Sequence, residues 1–127
     1  MSASGLLAVG AGAALGAWLR WLLASVWNPA FAPIPLGTLA ANVIGGFLIG
    51  AIAEWLGRNA GLPPELRLFL ITGFLGGLTT FSTFSAETAA LLERAHYGWA
   101  GVLIALHVIG SVTATLAGTA LVRAAAH

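Results

Sequence analysis

The sequence predicts an all-α membrane protein of four transmembrane helices, with a break in the third. Three observations predict it. The 127-residue chain is 59% hydrophobic and only 7% charged, with a mean hydropathy of +0.96. A soluble domain carries about 25% charged residues, so this chain could not cover a water-facing surface. Second, four apolar segments reach the about 20 residues that a helical span requires, and short polar or proline-bearing turns separate them. Third, the run Gly73-Phe74-Leu75-Gly76-Gly77-Leu78-Thr79-Thr80-Phe81-Ser82-Thr83-Phe84-Ser85 lies inside one of those segments. Its paired glycines loosen a helix, and a hydroxyl or an aromatic follows at nearly every position. Lipid cannot satisfy loosened backbone, so this stretch must face protein or a water-filled path.

The elements follow in order. The first span runs roughly from Gly5 to Trp27, with Arg20 its only charge. Met1 to Ser4 lack a basic region, so this segment does not read as a typical cleaved signal peptide. Asn28-Pro29 through Pro35 ends it, because proline cannot continue a helix. The second span runs from Leu36 to Leu56, with Glu54 near its end, and Arg58 through Pro64 forms the next turn. The third runs from Leu66 to Leu92 and is free of charge between Leu68 and Ala86. Arg94-Ala95-His96-Tyr97 ends it with polar residues alone, and the fourth span runs from Gly98 to Val122. The whole chain, residues 1–127, reads as a single four-helix transmembrane domain embedded in the lipid bilayer.

Composition excludes several functions. There is no Lys, so no phosphate loop and, with five Arg against four Glu, no basic patch for nucleic acid. There is no Cys, which removes thiol nucleophiles, disulfides and Cys metal sites. No G-x-S-x-G, no metal-spaced His pair and no intramembrane carboxylate pair occurs, so the chain does not read as an enzyme.

Charge also bears on orientation. With an even number of spans, Arg58, Arg67 and Arg123 share one side, and Arg94 and Arg20 the other. Three against two is a weak bias under the positive-inside rule. Either one extra Arg orients the chain, or it inserts both ways and assembles as an antiparallel dimer. Small residues spaced by four recur at Gly12/Gly16, Gly46/Gly50, Gly73/Gly77 and Gly110/Ala114/Gly118. They allow close helix approach, within a subunit or between the copies of a homo-oligomer.

Candidate site residues cluster in the second, third and fourth spans. Asn42 carries two donors and an acceptor into the second span; it either ties two helices together or lines a polar path. Phe81 and Phe84 share a helix face. They are either core, or ring edges whose positive rim attracts an anion without holding it tightly. Thr80, Ser82, Thr83 and Ser85 add hydroxyl donors, although some will bond their own helix. Glu87 lies at the membrane end of that face, as a path residue or as an exposed interfacial carboxylate. His107, Ser111 and Thr115 form one polar stripe on the fourth span, where an intramembrane His is a functional candidate or a satisfied structural group. Arg20 lies between Trp18 and Trp21, where it reads as an interfacial anchor.

The run from Gly73 to Phe84 resembles the G-x-x-G-G-L-T-T-F-S-T-F signature of the Fluc (CrcB-type) fluoride channels. The likeness extends to Gly12–Arg20 and Asn42–Gly50, and in length and span number to essentially the whole chain. It implies a dual-topology antiparallel homodimer in the inner (cytoplasmic) membrane, with two parallel pores that pass fluoride out of the cell. It implies that Phe81 and Phe84 line each pore, with Asn42 donating along it. It implies a structural Na+ at the dimer interface, held by the backbone carbonyls of Gly76 and Thr79. It also implies a polar track between the second and fourth helices. Ser111 fits such a track; Leu103 and His107 depart from the small hydroxyls or tyrosine expected there. The rival from another class is a small dual-topology proton-coupled multidrug exporter, which would rely on a carboxylate in the first span, where this chain has none. A purely structural subunit would leave the clustered hydroxyls and the Phe pair unexplained.

Insertion in both orientations has a direct test. The chain lacks Cys, so Gly98→Cys supplies a single label site. Impermeant thiol reagent on intact cells should label about half the molecules if both orientations occur; complete or absent labelling with a working control excludes dual topology.

Overall fold

The computed structural model describes residues 1–127, and every regular element in it is helical. Helix α1 is Ala3–Trp27, followed by a short 3-10 turn at Asn28–Ala30, and α2 is Leu36–Gly57. Helix α3 covers residues 64–78; its middle, Leu68–Leu75, is wound as a wider π-helix. Helix α4 is Phe81–Glu93 and α5 is Tyr97–Ala125. Four segments, Ala3–Ala30, Leu36–Gly57, Pro64–Glu93 and Tyr97–Ala125, are long and apolar enough to cross a membrane, so this is a multi-pass membrane protein. They match the four spans read from the sequence to within a few residues at each end.

Local chemistry sets the ends. Ser2 caps α1, its hydroxyl accepting from Gly5 N–H at 3.0 Å. Pro64 opens α3 where its missing N–H costs nothing. The α4–α5 turn, which carries no proline or glycine before Gly98, is a Schellman closure. His96 N–H reaches Leu91 C=O at 2.8 Å and Ala95 N–H reaches Leu92 C=O at 2.9 Å. Ala95 takes the left-handed position at φ 58°, where glycine is usual.

The helices pair α1 with α3 and α2 with α5, and glycines make both seams. A Cβ on Gly12 would meet the Phe69 carbonyl, and one on Gly16 the Phe74 carbonyl. From the other side, Gly73 and Gly77 lie against the Val9 and Ala13 carbonyls. In the second seam Gly50 abuts the Thr115 carbonyl and Gly118 the Phe47 carbonyl. These small residues therefore close helix pairs within one chain; Gly110 alone touches only the Val43 side chain, at ordinary range. Between the pairs, Ala41, Leu75 and Leu78 form one core cluster, and Ile34, Phe84, Leu91, Ala100 and Leu103 another. Ile104, Val108, Ile109, Val112 and Leu116 of α5 are exposed, as an apolar face in lipid should be.

Gly16→Val forces a side chain into the α3 backbone. Overpacking of this kind costs about 1–3 kcal/mol. The variant should lose thermal midpoint and yield of correctly sized protein in detergent, whereas Gly10→Ala, with nothing within 4 Å of the new methyl group, should behave as wild type.

Candidate functional site

The site forms where α3 ends and α4 begins. Thr79 and Thr80 between them have extended backbone, with φ/ψ of −85°/155° and −152°/117°. Two extended residues in the middle of an apolar span leave backbone groups that lipid cannot bond. Side chains satisfy most of them. Asn42 Oδ1 accepts from Thr80 N–H at 2.8 Å, and Asn42 Nδ2 donates to Thr80 C=O at 3.0 Å. Thr80 Oγ1 caps α4 by accepting from Thr83 N–H at 3.1 Å. Arg20 Nε donates to Gly77 C=O at 3.0 Å, placing a cation on the last carbonyls of α3, where the helix dipole is negative. Arg20 is therefore half-buried and bonded to backbone, not the free interfacial anchor its two Trp neighbours suggest.

The carbonyls released by the same geometry include those of Gly76 and Thr79. Thr80 N–H, which would close on Gly76 C=O in a continuous helix, is held by Asn42 instead. Thr83 N–H, four residues beyond Thr79, is held by Thr80 Oγ1. Gly76 is exposed and meets only the Ile71 carbonyl, at 3.7 Å from a Cβ placed there. These are the two carbonyls that the family resemblance implies for Na+.

The interruption opens onto a groove of about 480 Å³. Asn42, Gly76, Thr79, Thr80, Phe81, Phe84, His107 and Ser111 all border it, and neither Arg nor Lys does. The Phe81 and Phe84 rings meet edge to face, centroids 5.6 Å apart and planes at 72°. Their surroundings differ: Phe81 is 78% exposed, while Phe84 is 9% exposed. Phe84 also lies on the His107 imidazole, centroids 4.5 Å apart. His107 Nδ1 is 3.0 Å from Asn42 Nδ2. Thr83 receives a hydrogen bond from Thr80 Oγ1 at 3.1 Å. Thr115 is committed to structure, donating to the Gly46 and Ser111 carbonyls at 2.8 and 2.9 Å.

One turn along α2 from Asn42 there is a second polar level. Thr38 Oγ1 donates to Glu87 Oε2 at 2.7 Å. Asn28 holds Thr38 from outside the helix, its Oδ1 accepting from Thr38 N–H at 3.0 Å and its Nδ2 lying 3.3 Å from Thr38 Oγ1. Glu87 is thus half-buried and bonded, and its Oε1 is enclosed without a partner. The reading of Glu87 as an exposed interfacial carboxylate does not hold, because the Asn28-Pro29 turn folds the start of α2 across it. Thr38 and Asn28 were not singled out in the sequence. Thr38 lies four residues before Asn42, on the same helix face, which was the available signal; Asn28 was read only as a turn residue. At the other end of the bundle, Glu54 Oε1 pairs with Arg58 at 3.0 Å and Arg123 at 3.1 Å, so the groups assigned to one membrane side do meet.

A family model described as CrcB-like protein, Camphor Resistance (CrcB), matches residues 7–119. Over 118 residues the chain is 60% identical to the fluoride-specific ion channel FluC of Nitrosospira multiformis, spanning 93% of this chain and 92% of that one. It is 55% identical over 118 residues to the protein of the same name from Cupriavidus necator, spanning 93% and 94%. A third of that name, from Aromatoleum aromaticum, is 58% identical over 106 residues, spanning 84% and 81%.

Proposed function

Because the chain belongs to the CrcB-like family, we propose that it is a passive fluoride-selective channel that lets the ion leave the cell across the cytoplasmic membrane. The relatives that support this are named as ion channels, not enzymes or exporters. The structural observation that carries it is the groove at the α3–α4 interruption: amide, imidazole and hydroxyl groups beside two aromatic rings, with no cationic side chain. Fluoride is small and strongly hydrated. It enters only where neutral donors and ring edges replace its water. A full cation in the path would hold it too firmly, and conduction needs weak binding at several sites. Asn42, Thr80, Phe81, Thr83, Phe84, Glu87, His107 and Ser111 line the path in this reading. A proton-coupled multidrug exporter gains no support, since α1 has no carboxylate to carry the proton.

The functional unit is an antiparallel homodimer with two pores. A groove edged by polar groups and a Phe81 ring that is 78% exposed, at the middle of a span, would face lipid in a single chain, and a second copy would cover it. Near-balanced arginines allow insertion both ways. The freed carbonyls of Gly76 and Thr79 would hold Na+ between the copies, where the ion would tie the dimer together by binding only the assembled state.

Purified protein in liposomes should release fluoride to an electrode, and should not release chloride. Phe81→Ile keeps apolar bulk but removes the ring edge, and should slow release about tenfold or more, equivalent to about 1.4 kcal/mol on the barrier. No release by the wild type ends the channel reading; a wild-type rate in the variant removes Phe81 from the path.

Sodium has its own test. After prolonged exchange of Na+ for a large organic cation, the dimer should dissociate at lower temperature and fluoride release should fall. If both stay unchanged after verified sodium removal, Gly76 and Thr79 hold no ion.

A further inference from the structure

The hydrogen atoms around His107 can be assigned from backbone geometry alone. Thr80 N–H can only donate, so the Asn42 atom 2.8 Å from it is the amide oxygen. The amide nitrogen is then the atom that lies 3.0 Å from Thr80 C=O and 3.0 Å from His107 Nδ1. An amide NH2 offers two hydrogens and accepts nothing. One hydrogen goes to the carbonyl and the other to the imidazole. Nδ1 is therefore an acceptor without a proton, and the neutral ring carries its proton on Nε2.

That proton has nowhere to go within the chain. Nε2 is enclosed and has no hydrogen-bond partner, and His107 as a whole is 4% exposed. The ring cannot turn to find one. Asn42 holds it at one edge, and Phe84 lies on its face with the planes 30° apart. A buried N–H donor left without an acceptor is an exception in folded proteins, and here it lies against a ring of the proposed path. Asn42 is in the opposite condition: both of its hydrogens are already engaged, so it has none to offer a passing ion.

We propose that the Nε2–H of His107 is the donor that meets the anion beside Phe84, and that Asn42 is a positioning residue that fixes this tautomer. The inference rests on the channel reading above. Nε2 is enclosed by its neighbours, so the anion meets it only when they move aside. A neutral N–H gives a dehydrated anion a directional hydrogen bond without a full buried charge, so the ion can leave again. The departure of the fourth-helix track from hydroxyls at this position then has a chemical meaning: the imidazole supplies the donor that a hydroxyl would supply.

The test uses the full-length protein in lipid vesicles, with 15N-labelled histidine on a His96→Gln, His127→Gln background, which leaves His107 as the only imidazole. Solid-state NMR should find the proton on Nε2. Added sodium fluoride should give 19F dephasing of the Nε2 signal that is stronger than that of Nδ1. In Asn42→Asp a carboxylate accepts from Nδ1–H, so Nδ1 should carry a proton that it lacks in the parent protein. In efflux, His107→Leu should lose about tenfold or more, and His107→Gln, which keeps an N–H donor, should lose less. A proton on Nδ1 in the parent protein, or no 19F contact at Nε2 in vesicles that do release fluoride, overturns the assignment while leaving the channel reading intact. Vesicles that release no fluoride at all overturn that reading, and this assignment with it.

Discussion

The two-point clamp of Asn42 on Thr80 is the interaction on which the rest of the structure depends. Thr79 and Thr80 are extended inside a span, and a bare peptide group in hydrocarbon costs several kcal/mol. One side chain from α2 satisfies both the N–H and the C=O of Thr80. Its neighbours complete the repair: Arg20 takes the Gly77 carbonyl, and Thr79 turns its own hydroxyl onto the Leu75 carbonyl at 2.8 Å. The interruption thus draws polar groups from three helices into one place. The Gly76 and Thr79 carbonyls and Nε2 of His107 are among the groups left without a partner inside the chain, and the proposed ion sites rest on them.

Glycine seams make that arrangement geometrically possible. Helix α1 approaches α3 backbone to backbone at Gly12 and Gly16, and α2 approaches α5 in the same way at Gly50 and Gly118. Each helix pair is closed backbone to backbone along its seam. Asn42, Thr79, Thr80, His107 and Ser111 border an open groove. A path that runs along an open groove needs a second wall, and this is the physical ground for reading the chain as one half of a symmetric pair. The exposed apolar face of α5 needs only lipid.

Much of this was legible in the sequence, for reasons that can be named. Each span announces itself by hydropathy, and the prolines at Pro29, Pro35, Pro63 and Pro64 punctuate the first three helices. The small-residue spacing marked both seams, and the Gly76-Gly77 and hydroxyl run marked the stretch where the third span is interrupted. Single side-chain partners were not legible. Arg20 between two tryptophans looks like an anchor, because no local pattern says that α3 ends beneath it and offers a carbonyl. Glu87 looks interfacial until the Asn28-Pro29 turn is seen to lay Thr38 over it. The α4–α5 turn gave only a weak signal, since Ala95 holds a left-handed position that glycine would have advertised. In each case the deciding contact joins residues far apart in sequence or depends on a backbone angle that composition does not specify.

Helix α2 is the element that holds the two polar levels in register. Thr38 and Asn42 are one turn apart on it and therefore on one face. At the upper level, Asn28 Oδ1 accepts from Thr38 N–H, so its Nδ2 faces Thr38 Oγ1, and the single hydroxyl hydrogen of Thr38 is directed to Glu87. At the lower level, the Thr80 backbone fixes the Asn42 amide, whose remaining hydrogen is directed to His107. Both hydrogen-bond directions are thus set by backbone groups and not by mobile side chains. Each level leaves one enclosed atom unpartnered, Oε1 of Glu87 and Nε2 of His107; Phe84 is one turn before Glu87 on α4, and its ring lies on the imidazole of His107. A shift of α2 by a single residue would turn Thr38 and Asn42 off this face together. It would unbond the Thr80 backbone, Glu87 Oε2 and His107 Nδ1 at once, so the stability of the interrupted span and the polarity of its surroundings are consequences of the same register.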